Sequence, residues 1–276
     1  MQTHEPAGLT PVENDVDRCR AYIYCQLEEQ KRPLPHGGLS PPGPAVTLSY
    51  LTGSGEHTVA RRLAGILRAG EPDGAVPWTV FDRQLIEEVL KEHHLPRELA
   101  RFMPEERRSY IRDTMEELLG LRPPSWVMVP QIAETVLHLA DAGHVILVGR
   151  GANFITARMP NVFHVRLVAS LPRRIARTQK LNCLTRTEAA AWVVRRDRGR
   201  GRYLKAHFHA HAGNDLHYHL VINTDRIPCA AAAKLIAKGA RRCFQNTAKY
   251  PTDSEENVLL AVHRRKAGVF PTARTE

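Results

Sequence analysis

Gly53, Ser54 and Gly55 stand between an apolar run, Ala45–Tyr50, and an amphipathic stretch that begins near Thr58. Strand, glycine turn and helix in that order present unpaired backbone N–H groups and the positive end of a helix dipole to an anion, above all a phosphate. The full phosphate loop, G-x-x-x-x-G-K-[ST], adds a lysine for the outer phosphates and a hydroxyl for magnesium. Here Tyr50 stands at the first glycine and Glu56 at the lysine, His57 follows, and the hydroxyl falls to Ser54 or Thr58. A carboxylate at position 56 repels a triphosphate unless its side chain turns outward, and an arginine must then supply the missing positive charge. The motif alone is weak, and a plain strand-to-helix turn is the alternative.

Three other clusters carry charge suited to such chemistry. Arg150 sits between Gly149 and Gly151 at the end of the apolar run His144–Val148. An arginine with no bulk beside it can grip an anion bidentately; a salt bridge to a neighbouring loop is the plainer reading. The run Arg195–Arg202 holds five arginines, Asp197 and two glycines. Closing over a phosphate, Arg198 and Arg200 would neutralise charge that spreads during phosphoryl transfer. Asp197 would hold a ribose hydroxyl or orient one of those arginines. The competing reading is a surface patch or an RNA contact. His207, His209, His211, His217 and His219 alternate along one segment, as a metal site or as a solvent-facing loop whose closure responds to pH.

The elements that must position these groups alternate along the chain. Strands are expected at Ala45–Tyr50, Trp78–Phe81, His144–Val148, Val162–Val168 and Leu220–Asn223. Helices are expected from Thr58, over about 82–93, 104–119, 130–142, around Arg173–Arg177, over about 186–198 with an irregular His-rich segment to His217, and over 228–239. Short apolar strands separated by helices argue for a parallel sheet covered on both faces. Ligands in such sheets bind at the carboxyl ends of the strands. Those ends carry Gly53–Gly55, Asp82-Arg83, Gly149–Gly151 and Asn223–Asp225. Residues 1–44 read as a helical extension with a Pro/Gly-rich linker, 45–240 as the main domain, and 241–276 as a peripheral helix and tail.

Composition narrows the setting. The 276 residues are 43% hydrophobic and 25% charged, with no run near the roughly 20 apolar residues of a membrane span. No membrane partner is expected, and the cytoplasm is the expected compartment. Five scattered cysteines without a C-x-x-C pair argue for reduced, buried thiols. The net charge of +10 calls for an anionic partner, whether nucleotides, nucleic acid or acidic lipid; the clustered arginines suit clustered phosphates, and nucleic acid is an open but not favoured partner. The N-terminal helix can pack on the main domain or on a second subunit.

Taken together, TGSGEHTVARRLA, FDRQLIEEV, HVILVGRGANFI, NVFHVRLVASLPRRIAR, RDRGRGRYL and LVINTDRI resemble the cytidylate kinase-like family, relatives of the nucleoside monophosphate kinases, from about Val46 to Ile236. The resemblance implies an α/β, P-loop-type three-layer sandwich with a five-stranded parallel sheet, helices on both faces and a mobile lid near Arg198–His217. It implies transfer of the γ-phosphoryl of magnesium-ATP to CMP, dCMP or a related monophosphate. Gly53, Ser54, Gly55, Glu56, His57 and Thr58 match the donor loop, Arg150 the arginine on the acceptor phosphate, and Asp197, Arg198 and Arg200 the Asp-Arg-x-Arg element. Asp82 matches an acidic position near acceptor and metal, with Thr58 the second metal-side residue. The family's cytosine-reading aspartate is Gly151 here, and Glu56 departs from the family's Gly-Ser-Gly-Gly. The rival reading is a kinase-derived binding protein without turnover.

Overall fold

The computed structural model describes residues 17–19, 21–23, 25–26, 42–72, 75–82, 85, 111, 128–149 and 151–249. Five strands form one parallel sheet: β1 (Ala45–Tyr50), β2 (Thr79–Phe81), β3 (Val145–Val148), β4 (Val162–Val168) and β5 (Leu220–Asn223), in the order β2-β3-β1-β4-β5. The helices are α1 (Glu56–Arg68), α2 (Met128–Ala142), the single turn α3 (Ala152–Ile155), α4 (Leu171–Asn182), α5 (Arg186–Phe208) and α6 (Cys229–Lys249). This is the α/β sandwich that the alternation of apolar runs and helices predicts.

The sheet is central because its strands are apolar on both sides, which is stable only when helices cover both. Alternation along β1 sorts the two faces. Val46 and Leu48 join Val165 and Leu167 of β4 in a core closed by α1 and α6, with Val59, Leu63, Ala232 and Ile236 fully buried. Ala45, Val145, Leu147 and Val162 join the other core, closed by α2 and by the helical residues Cys19, Tyr22 and Ile23. The described helical residues of the N-terminal extension therefore pack against the main sheet. Register places Ser49 beside Arg166 and Tyr50 beside Leu167.

Two helices outrun their expected ends. Gly199 and Gly201 read as helix breakers, yet α5 continues to Phe208. Each glycine costs about 1 kcal/mol in a helix interior, and packing of the buried Leu204 together with the Arg200–Asp197 pair offsets that cost. The irregular segment accordingly begins at His209, not after Arg198. Likewise α6 passes through 240, the expected domain edge, to Lys249. The helices expected over 82–93 and 104–119, and the tail beyond 249, lie outside the described residues apart from Asp82, Leu85 and Ile111. All five cysteines are free, and Cys25 and Cys183 are exposed rather than buried. Among the described residues, no helix is long and apolar enough to cross a membrane.

Candidate functional site

The bend between β1 and α1 is built so that only glycine serves at two places. Gly53 has φ +81° and Gly55 φ +96°, in the left-handed region. A Cβ at Gly53 would lie 2.6 Å from the Arg174 carbonyl oxygen, and one at Gly55 would lie 2.6 Å from the Cys229 sulfur. The bend is pinned from below: the Ser54 amide donates to the Leu51 carbonyl (2.9 Å), and the Thr224 hydroxyl donates to the Ser54 carbonyl (2.7 Å). Arg177 holds Thr224 in turn, donating to its hydroxyl and its carbonyl at 2.8 Å each. The loop after β5 thus buttresses the loop after β1.

Glu56 turns inward. Its side chain folds back over the bend, accepting from the Gly53 amide at 3.3 Å and the Gly55 amide at 3.0 Å, and the residue is only 7% exposed. A carboxylate here sits where an anion finds free amides and a positive helix end. The outward position that a triphosphate requires is not the one adopted. The same contact shows that the bend accepts a pair of anionic oxygens.

Asp197 is the second acid on the loop. It accepts from the Thr52 amide (2.9 Å), from Arg174 (2.5 Å) and from Arg200 (3.2 Å). Burial pushes its carboxyl up, but the Thr52 amide and hydroxyl and then the two guanidinium groups outweigh that, so it lies below the ordinary carboxylate range. Arg200 also donates to the Thr52 hydroxyl and lies over the Tyr50 ring, 4.1 Å from its centroid. Arg174 is itself buried and donates further to the Thr52 and Ala169 carbonyls. Consecutive amides, 52 and 53, therefore carry two carboxylates, and two guanidinium groups balance them.

The sequence-derived residues divide accordingly. Gly53, Ser54, Gly55, Glu56, Asp197 and Arg200 meet at one bend. His57 and Thr58, on the first turn of α1, are exposed, and so is Arg198, which the helical repeat turns to a different side from Arg200. Arg150 lies outside the described residues. Asp82 accepts from the Leu85 amide at 3.0 Å, an N-cap-type contact. Among the described residues, no group of three His, Cys, Asp or Glu side chains could hold a metal. The Ser54 hydroxyl is buried without a hydrogen bond.

Sequence reasoning missed Thr52 and Arg174. Arg174 was legible only as one of several basic residues on α4; what singles it out is its burial, which no spacing signals. The turn after β3 keeps its glycines for geometry: Gly149 has φ +80° and Gly151 φ +70°, and a Cβ at Gly151 would meet Phe208 at 2.5 Å. The histidines scatter. His219 accepts from the His164 amide at 2.9 Å and stacks on the His164 ring, whose Nδ1 lies 2.8 Å from the Thr47 hydroxyl. Burial, then the neighbouring His219, lowers His164 to about 4, and burial lowers His219.

Comparison with known proteins adds the following. The family model described as the cytidylate kinase-like family matches residues 45–226, more than half of the chain. A crystal structure of an uncharacterized protein from Eubacterium ventriosum is similar at 18% identity and TM-score 0.48, covering 72% of this chain and 98% of that one. The crystal structure of APE1195 is similar at 16% identity and TM-score 0.39, covering 74% and 98%. No curated protein matches.

Proposed function

The chain belongs to the cytidylate kinase-like family, and from that premise we propose that it is a nucleoside monophosphate kinase-like phosphotransferase, acting on CMP, dCMP or a related monophosphate, whose donor loop is closed by Glu56 until a nucleotide displaces it. One observation carries this reading: residues some 145 positions apart, Thr52 to Gly55 on one side and Asp197 with Arg200 on the other, converge on a bend that already seats an anion.

Magnesium-ATP, when bound, supplies the transferable phosphoryl group. The residues fit it in chemistry, because the Glu56 oxygens stand in for phosphate oxygens on the Gly53 and Gly55 amides. With Glu56 withdrawn, Arg174 and Arg200 face Asp197 alone, leaving one net positive charge in place of the absent lysine. Arg200 would hold the donor phosphates from α5, and Asp197 fixes that guanidinium in advance, so orientation is settled before binding. Ser54, Thr58 and Asp82 are the groups available on the metal side, through water. Arg150, Asp197 and Arg198 would serve the acceptor.

A second reading is favoured by Glu56 itself: a kinase-derived protein that has given up turnover. Hydrogen bonds to a charged group contribute about 1.5–3 kcal/mol each, so displacing the carboxylate weakens ATP binding by at least about tenfold. The separating experiment measures ADP release from magnesium-ATP with a panel of monophosphates, for the wild type, Glu56→Ala and Arg200→Ala. The kinase reading expects acceptor-dependent release, faster in Glu56→Ala and abolished in Arg200→Ala. ATP binding that tightens in Glu56→Ala without any release in either protein would establish the second reading instead.

A further inference from the structure

Arg166 on β4 is the buried charge that the donor loop does not explain. It is 8% exposed, and among the described residues its guanidinium makes no hydrogen bond and has no carboxylate within ion-pair range; its Nη1 is wholly buried and unpartnered. Its one contact with a compensating group is the Tyr218 ring, whose centroid lies 5.5 Å from the guanidinium carbon. A cation over an aromatic face gains about 0.5–2 kcal/mol, whereas removing a guanidinium from water costs several. The ring does not balance the charge.

A second orphan stands beside it. Asn153, 3% exposed, accepts from the Ser49 hydroxyl at 2.9 Å through Oδ1, while its Nδ2 is buried without a partner. Ser49 is the register partner of Arg166, so the two side chains leave adjacent strands on the same face. That face is turned away from α1, because Leu48 and not Ser49 joins the α1 core. Tyr218 closes the group. Burial raises its phenol above the ordinary value, with Ser49, the Arg166 charge and Asn153 pulling the other way. Its hydroxyl donates to the Ala212 carbonyl at 3.2 Å, and the nearby Asp215 is exposed and forms no ion pair with Arg166.

We propose that Arg166, Asn153 and Ser49 form a second oxyanion site, separate from the donor loop, that takes a phosphate group, free or as a phosphomonoester, when Tyr218 moves off the guanidinium. A tetrahedral oxyanion offers acceptors to both orphan donors while the Ser49 hydroxyl goes on holding Asn153 by its Oδ1, and it supplies the countercharge that the fold withholds. The segment carrying Tyr218 suits such a movement. It leaves α5 at His209, with φ +46°, and its regular structure is one 3-10 turn, Asp215–His217.

The test is thermal unfolding without ATP or magnesium, at constant ionic strength, over 1 to 50 mM inorganic phosphate and, separately, CMP (concentrations chosen as roughly spanning weak anion binding). The wild type gains stability with either, and so does Arg200→Ala, whose lesion is at the donor loop. Arg166→Met is as stable as the wild type without ligand, or more so, and gains nothing from phosphate; Asn153→Ala needs about ten times more phosphate for the same gain. CMP is read as the part of its stabilisation that Arg166→Met loses, since CMP also meets the proposed acceptor residues; that part appearing at lower concentration than the phosphate effect assigns the site to a phosphomonoester, and equal potency assigns it to the free ion. The proposal is overturned if phosphate stabilises Arg166→Met as it does the wild type, if phosphate does not stabilise the wild type, or if Arg166→Met is destabilised on its own. Because the donor loop plays no part in these readings, their failure leaves the kinase assay to be judged by itself.

Discussion

The bend after β1 and the patch around Arg166 draw on neighbouring stretches of the same two strands, yet their electrostatic states are opposite. At the bend, amides 52, 53 and 55 each meet a carboxylate oxygen, and Arg174 and Arg200 share Asp197. Around Arg166, two buried donor atoms face the Tyr218 side chain and, among the described residues, have no hydrogen-bond acceptor. A protein with a net charge of +10 has not spread its basic groups evenly; it has neutralised one anion-binding place with its own acids and left another to be neutralised from outside. Formal charge therefore says little about which region responds to a ligand. The placement of a few acids decides it.

Substitutions can sharpen or break this contrast. The largest effect is expected from Asp197→Ala, which strips the acid from two guanidinium groups and from the Thr52 amide. Breaking a buried pair costs about 3–5 kcal/mol; with a fifth of the Asp197 side chain exposed, a loss of about 2–4 kcal/mol should appear in urea unfolding. Arg166→Met should cost nothing in the same assay, and equal losses would erase the distinction between the two regions.

Acid comes next. Unfolded, His164 titrates near 6.5; folded, it titrates near 4. The unfolded chain thus binds the extra proton first, and stability present above pH 6.5 is lost as pH falls toward 4. The loss should be on the order of 2–3 kcal/mol at pH 4, measured by unfolding at a series of pH values, and His164→Gln should flatten it. Glu56→Gln follows, with an expected stability loss of about 1 kcal/mol but tighter binding of an ATP analogue in calorimetry; weaker binding would mean that the carboxylate helps the nucleotide rather than competing with it. The smallest effect belongs to Thr185→Ala. Thr185 and Glu188 form an exposed capping box at the start of α5, so about 0.5 kcal/mol should be lost, with no change in nucleotide or phosphate binding.

Much of the scaffold is readable from residue order, for a physical reason. Strands buried on both faces are nearly pure apolar runs, so Ala45–Tyr50 and Val162–Val168 can be bounded to the residue. The limits of α5 cannot, since Gly199 and Gly201 argue locally for a break that the contacts of Asp197, Arg200 and Leu204 override. In the site, Gly53 and Gly55 are legible because their role is a backbone role. The inward turn of Glu56 is not, because a rotamer answers to surroundings that spacing does not encode. Arg166 did leave a trace, a lone guanidinium inside Val-Phe-His-Val-Arg-Leu-Val, where an apolar strand has no local reason to carry one.

Finally, α5 touches two turns that are far apart in the chain. Arg200 is bonded to Thr52 at the bend, and eight residues on, Phe208 lies against Gly151 so closely that no methyl group fits between them. At 1.5 Å per residue these anchor points are about 12 Å apart on one rigid rod. A side chain introduced at Gly151 would push on one end of that rod and be felt as slack at the other, so damage to the turn after β3 should register at the bend after β1.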